Sequence, residues 1–90
     1  MSLDALRDEI DELDLEILRL LNKRHHACMQ VGELKRETRK DVHDPAREEA
    51  LLQRLEDLNA GPFPNDALRD VYARILKASQ DEQRRIVEDV

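Results

Sequence analysis

The first forty residues, MSLDALRDEIDELDLEILRLLNKRHHACMQVGELKRETRK, decide the fold of this chain. Their apolar residues recur at alternating intervals of three and four, which is the spacing of one face of an α-helix. No proline interrupts the pattern before Pro45, and no glycine before Gly32. The stretch predicts one long helix with an apolar seam, formed by Leu3, Leu6, Ile10, Leu13, Ile17, Leu20, Ala27, Val31 and Leu34.

This seam is interrupted at one position, where Arg24 lies between Leu20 and Ala27. A guanidinium at a seam position must either extend to solvent or meet a buried anion. The last predicted helix has similar interruptions, at Ser79 and Gln83. A single polar interruption fits a device that fixes the register of a coiled coil. Hydrogen-bond donors in the seams of two helices favour a polar pocket inside a helical bundle.

Two shorter helices follow the first. The polar segment 36–43 has no period and is predicted as a loop. Asp44 and Pro45 then suit the N-cap and first turn of a helix that ends near Leu58, before Asn59-Ala60-Gly61-Pro62. The second helix has an apolar stripe formed by Leu51, Leu52, Leu55 and Leu58. The third helix starts at residues 64–66. Its seam is formed by Leu68, Tyr72, Ile75, Ser79, Glu82 or Gln83, and Ile86. The sequence thus predicts a single all-α domain over residues 1–90, with a long, a short and a medium helix.

Composition excludes several classes of function. The net charge of −6 disfavours nucleic acid and anionic membranes as partners. No apolar run is long enough to span a membrane or to form a signal peptide, which predicts a soluble protein that is not secreted. The single cysteine, Cys28, allows no intrachain disulfide and fits a reducing cytoplasm.

The first helix is too long for its own chain to cover. If it runs from about Ser2 to Glu37, its length is roughly 50 Å, beyond the diameter of a 90-residue globule. The other two helices supply only about 21 Å and 36 Å. A second copy of the chain is the simplest cover for the seam, and a two-fold dimer is the commonest arrangement.

Other polar residues give weaker signals. His25 and His26 point about 100° apart on a helix, so they cannot chelate one metal, and no metal site or cofactor is predicted. Cys28 has no His–Asp arrangement around it and fits a half-buried small side chain. Asp44, Arg47 and Glu48 fit a capped helix with a surface ion pair as well as they fit a functional site.

Taken together, these residues resemble a known family, the all-helical class of chorismate mutases. The resemblance extends from Leu3 to Gln83 and therefore covers nearly the whole chain. It rests on the runs Leu6-Arg7-x-x-Ile10-x-x-Leu13-Asp14, Leu20-Leu21-x-x-Arg24, Val31-Gly32-x-x-Lys35, Asp44-Pro45-x-Arg47-Glu48 and Ser79-x-x-x-Gln83.

The resemblance implies an intertwined homodimer that converts chorismate to prephenate, towards phenylalanine and tyrosine, without a cofactor. It implies that Arg7 and Arg24 clamp the two carboxylates of chorismate, with Arg7 supplied by the other subunit. Lys35 and Gln83 resemble the donors to the ether oxygen, and Glu48 resembles the acceptor of the ring hydroxyl, with Asp44 nearby. The remaining polar positions of the pocket correspond to Arg47 and Ser79.

The spacing of the arginines independently favours a site shared between two chains. Arg7 and Arg24 are roughly 26 Å apart along one helix and cannot clamp one small molecule from the same chain. If two copies of the helix cross antiparallel near their midpoints, Arg7 of one copy lies opposite the stretch between Arg24 and Lys35 of the other.

Two alternative functions stay open. An isochorismate pyruvate lyase on the same scaffold would share Arg7, Arg24, Lys35 and Gln83, whereas Asp44 and Glu48 suit the hydroxyl of chorismate. A non-catalytic helical dimerisation module would explain the apolar seams but would give no reason for the polar positions.

Overall fold

The computed structural model describes residues 1–89, and these form three α-helices and no strand. Helix α1 spans Leu3–Thr38, α2 spans Pro45–Leu58 and α3 spans Asn65–Glu88. The all-α prediction, with a long, a short and a medium helix, is confirmed. Within the described residues, no helix combines the length and the apolar character that crossing a membrane requires.

Helix α1 begins at a side-chain cap and ends without a glycine. Ser2 accepts a hydrogen bond from the backbone N–H of Ala5 at 3.1 Å, which satisfies a donor that the first turn leaves free. The helix ends at Arg39, whose backbone is left-handed with φ 57°. The prediction that the loop begins at residue 36 was wrong, because residues 36–38 continue the helix with their polar side chains in solvent.

The predicted boundaries of α2 and the predicted start of α3 are confirmed. Asp44 caps α2 by accepting from the backbone N–H of Arg47 at 3.1 Å, and Pro45 occupies the first turn. Asn59 organises the turn that follows, since its Oδ1 accepts from the N–H of Gly61 and its Nδ2 donates to the carbonyl oxygen of Phe63. Gly61 has φ +76°, a conformation that favours glycine.

Helix α3 holds the other two helices together. It packs against α1 and against α2, and its predicted seam faces inward, with Ser79, Gln83 and Ile86 buried. Arg69 of α3 also forms ion pairs with Glu49 and Glu56 of α2. Leu58, the last residue of the predicted apolar stripe of α2, is 69% exposed in the single chain.

The single chain is elongated and leaves much of α1 uncovered. Its dimensions are 54 × 26 × 15 Å and its radius of gyration is 16.3 Å, whereas a compact domain of this length has a radius of about 12 Å. Every residue in 1–23 is exposed, including the apolar seam, and α3 covers only the second half of α1. Exposure of this apolar surface to water has an unfavourable free energy of roughly 25 cal/mol per Å².

Candidate active site

One cavity, of about 130 Å³, lies where the second half of α1, the first turn of α2 and α3 meet. Four residues of α1 line it at helical spacing, so their side chains share one face. Helix α2 and the segment before it contribute five lining residues, and α3 contributes four. The lining residues are Arg24, Cys28, Val31, Lys35, Val42, Asp44, Arg47, Glu48, Leu51, Leu76, Ser79, Gln80 and Gln83.

At one end of the cavity, Arg24 is held by α3. Its Nη1 donates to Ser79 Oγ at 2.7 Å, and the Ser79 hydroxyl in turn donates to the carbonyl oxygen of Ile75 at 3.0 Å. Cys28 Sγ lies 3.5 Å from the same nitrogen. Because a guanidinium carries five N–H donors in a fixed plane, these contacts orient Arg24 and leave donors for a ligand carboxylate.

At the other end, Lys35 and Gln83 meet across the interface between α1 and α3. Lys35 Nζ is 3.5 Å from Gln83 Oε1 and 3.4 Å from the carbonyl oxygen of Val42. Both distances exceed the usual range of about 2.7–3.2 Å for N–H···O bonds. The ammonium therefore keeps hydrogen-bonding capacity for a closer acceptor in the cavity.

The first turn of α2 brings a cation and carboxylates to the same cavity. Arg47 and Glu48 follow directly from the Asp44 cap and Pro45, so the capping geometry decides where both side chains begin. The N-terminus of α2, which is the positive end of the helix dipole, lies beside the cavity, because Asp44, Arg47 and Glu48 line it. Within residues 1–89, neither Arg47 nor Arg24 forms an ion pair with a carboxylate.

The structure brings all but one of the predicted site residues to this cavity: Arg24, Lys35, Asp44, Arg47, Glu48, Ser79 and Gln83. The exception is Arg7, which is exposed near the start of α1. It is separated from Arg24 by roughly 26 Å of helix, as the sequence predicts. Arg7 therefore does not belong to the cavity of its own chain.

A second, wider groove adjoins the first. It measures about 490 Å³ and is lined mainly by α1 and α3, including the apolar side chains of Leu18, Leu21 and Ile75. Arg24 and Ser79 line both spaces, so the groove leads to the cavity at the arginine end.

Several lining residues were not predicted as parts of the site, although helical periodicity contains a signal for most of them. Cys28 and Val31 lie four and seven positions after Arg24, and Leu76 and Gln80 flank Ser79 at intervals that keep them on one side of α3. Val42 had no such signal, because it lies in a loop and contributes its carbonyl oxygen. Leu51 was assigned to the apolar stripe of α2 and also reaches the cavity.

Two solved chorismate mutases superpose on this chain over nearly its whole length. A chorismate mutase solved from Thermus thermophilus, in its form II, superposes with a TM-score of 0.88 at 41% identity, over 91% of this chain and 93% of that one. A Helicobacter pylori chorismate mutase in complex with prephenate superposes with a TM-score of 0.86 at 30% identity, over 98% and 96% of the two chains.

The bifunctional relatives with curated functions are longer proteins. A bifunctional chorismate mutase/prephenate dehydratase of Aquifex aeolicus is 38% identical over 88 residues, which are 93% of this chain and 24% of that protein. The chain thus spans about a quarter of that relative. Residues 6–84 match the family model of chorismate mutase type II. With that match extending over all three helices and the whole cavity, this chain belongs to the chorismate mutase type II family.

Proposed function

We propose that this protein is a chorismate mutase, an isomerase that rearranges chorismate to prephenate at the cavity between α1, α2 and α3. The observation that carries the proposal is the convergence of Arg24, Lys35 and Gln83, from two helices, on one cavity. The substrate would be chorismate, which is a dianion with an ether oxygen and a ring hydroxyl.

The charges around the cavity suit such a dianion. Arg24, Lys35 and Arg47 supply positive charge, although the whole chain carries −6. The guanidinium groups would bind the carboxylates by charge-assisted hydrogen bonds and hold the flexible substrate in its compact, reactive conformer. Glu48, with Asp44 nearby, would accept the hydrogen bond of the ring hydroxyl.

The rearrangement breaks one C–O bond and forms one C–C bond within the same molecule. It therefore requires no nucleophile, general base, metal or cofactor from the protein. Negative charge grows on the ether oxygen as the C–O bond breaks, and Lys35 and Gln83 would donate to that oxygen, as donors in an oxyanion hole do. The long contacts of Lys35, at 3.4 and 3.5 Å, support this role because a closer acceptor can replace them.

We further propose that the active protein is an intertwined homodimer. The exposure of every residue in 1–23 supports a second copy as the cover of the α1 seam. The apolar groove that leads to Arg24 supports the same arrangement, because a partner helix lying there would run along the cavity. In an antiparallel two-fold pair, Arg7 of the partner would lie opposite the stretch between Arg24 and Lys35, so each site would contain residues of both chains.

The family membership and the single cysteine support a cytoplasmic location, and neither nucleic acid nor a membrane is needed as a partner. We propose that residues 1–90 form a single mutase domain.

Product identification tests the proposed reaction. Purified protein is incubated separately with chorismate and with isochorismate, the loss of chorismate absorbance is followed, and products are identified by NMR, because prephenate and chorismate are isomers of equal mass. We expect prephenate to appear in equal amount to the chorismate consumed. Release of pyruvate from isochorismate, with chorismate unchanged, would instead support a lyase, and inactivity towards both would support a dimerisation module.

A further inference from the structure

Gly32 is the one residue of α1 that is buried in the described part of the chain. It lies directly against α3. A Cβ atom at this position would be 3.2 Å from the Cα of Gln83, 3.3 Å from its Cγ and 3.3 Å from Cδ1 of Ile86. Carbon atoms in favourable contact are about 3.5–4.0 Å apart, so α3 approaches α1 here more closely than a side chain would comfortably permit.

Helix formation does not explain this glycine. Glycine within a helix is less favourable than alanine because it loses more backbone freedom on folding. Gly32 is not a cap either, since α1 continues through Thr38 and its left-handed residue is Arg39. The close approach of the two helices is therefore the physical reason for having glycine at this position.

We propose that Gly32 is a positioning residue for Gln83. Its missing side chain lets α3 approach α1 so that the Gln83 carboxamide reaches Lys35, which lies nearly one helical turn beyond Gly32 on a neighbouring face of α1. The inference rests on the proposed function, because it assumes that Lys35 and Gln83 donate to the ether oxygen and states that Gly32 determines how they are placed relative to each other.

The nature of the contacts decides what a methyl group at this position would do. A clash with the end of a flexible side chain is relieved by a rotamer change, but Gln83 Cα belongs to the backbone. In Gly32→Ala, Gln83 must therefore move away from α1 by a few tenths of an ångström, and its carboxamide moves with it. Stabilisation of a transition state by fixed donors is sensitive to such shifts, since a misplacement of about 1 Å lowers rates roughly 100-fold.

The first measurement is the steady-state kinetics of Gly32→Ala. We expect kcat to fall about 10-fold, with KM changing less than about 3-fold, because the arginine that binds a carboxylate is held at Ser79, a turn away on α3. Glu33→Ala is the matched control: it alters the next residue of α1, which is exposed, and should keep the wild-type kcat.

A double-mutant cycle with Gln83→Ala separates positioning from a general loosening of the fold. If Gly32 acts through Gln83, Gly32→Ala should change kcat by less than about 2-fold once the carboxamide is absent. A reduction of about 10-fold in both backgrounds would mean that the two effects are independent and would overturn the inference.

Ile86→Val supplies a second check, which separates the two contacts that the added methyl group would make. It removes Cδ1 of Ile86, so Gly32→Ala/Ile86→Val relieves the side-chain contact but keeps the contact with the Gln83 backbone. We expect kcat of this double variant to stay about 10-fold below that of Ile86→Val. Recovery of kcat to the Ile86→Val value would contradict the role of Gln83. Absence of mutase activity in the wild type would instead refute the proposed function.

Discussion

Lys35 and Gln83 meet across the interface between α1 and α3, with Nζ of the lysine 3.5 Å from Oε1 of the glutamine, although 48 positions separate them in the chain. Gln83 is buried and Lys35 is half-buried, so both are held by the packing of their helices. If both residues donate to the substrate, as proposed, donors held in this way need little rearrangement when negative charge develops.

Removal of the Lys35 ammonium should slow the reaction far more than it disturbs the fold. We expect Lys35→Ala to lower kcat by about 100-fold or more, which corresponds to roughly 2.7–4 kcal/mol of transition-state stabilisation. Lys77→Ala is the matched control, because Lys77 is an exposed lysine of α3 whose partner is Asp81 at 3.1 Å. Near-wild-type turnover of a folded Lys35→Ala protein would refute the role of Lys35.

The pH dependence of kcat tests the role of Gln83. An amide does not titrate, so we expect kcat of the wild type to be nearly flat from about pH 5.5 to 8.5. A carboxyl in the same place donates a hydrogen bond only when it is protonated, and Gln83→Glu should therefore be active only at low pH. A bell-shaped profile of the wild type, centred near neutrality, would argue for acid–base catalysis instead.

Much of this arrangement can be predicted from the sequence, because the seams of α1 and α3 recur with the period of a helix. Arg24 interrupts the seam of α1, and Ser79 and Gln83 interrupt the seam of α3. Since inward-facing positions of packed helices meet, these interruptions come together in one cavity, and the hydrogen bond between Arg24 and Ser79 is the direct result. The cap at Asp44 was equally predictable from local chemistry.

Features set by a specific backbone conformation or by tertiary contacts were not predictable. The end of α1 lies at Arg39 in the left-handed region, where neither glycine nor asparagine signals it. Val42 takes part through its carbonyl oxygen, which every residue type has. The sequence motif contains Gly32, but its close approach to Gln83 is visible only in the structure.

The ion pair between α2 and α3 should make stability depend on acid pH. Arg69 Nη2 donates to Glu49 Oε1 at 2.8 Å, and the hydrogen bonds from Arg69 lower the pKa of the Glu49 carboxyl. A lowered folded-state pKa contributes stability above the pKa of an unfolded glutamate, about 4.3, and this contribution is lost as pH falls through the folded value.

We therefore expect wild type to have a higher urea midpoint than Glu49→Gln at pH 7, at equal protein concentration, and expect the difference to be smaller at about pH 3. Glu33→Gln, which removes an exposed carboxylate of α1, serves as the control and should follow the wild type. A difference that is equally large at both pH values would show that the loss of the carboxylate charge is not its cause.

The proposed two-chain site is tested most directly by mixing two inactive variants. Arg7→Ala should be nearly inactive because both sites of its dimer lack the arginine of the partner, and Lys35→Ala should be nearly inactive because both sites lack the donor. In a mixed dimer, one site receives intact Arg7 from one chain and intact Lys35 from the other, while the second site carries both changes.

The measurement is the mutase activity of the two variants co-expressed in equal amounts, with mixed dimers quantified by mass spectrometry. Random pairing makes half of the dimers mixed, so roughly a quarter of the wild-type activity should return if each site uses Arg7 of the partner. Activity that stays at the level of the two parent variants, with mixed dimers present, would contradict the shared site.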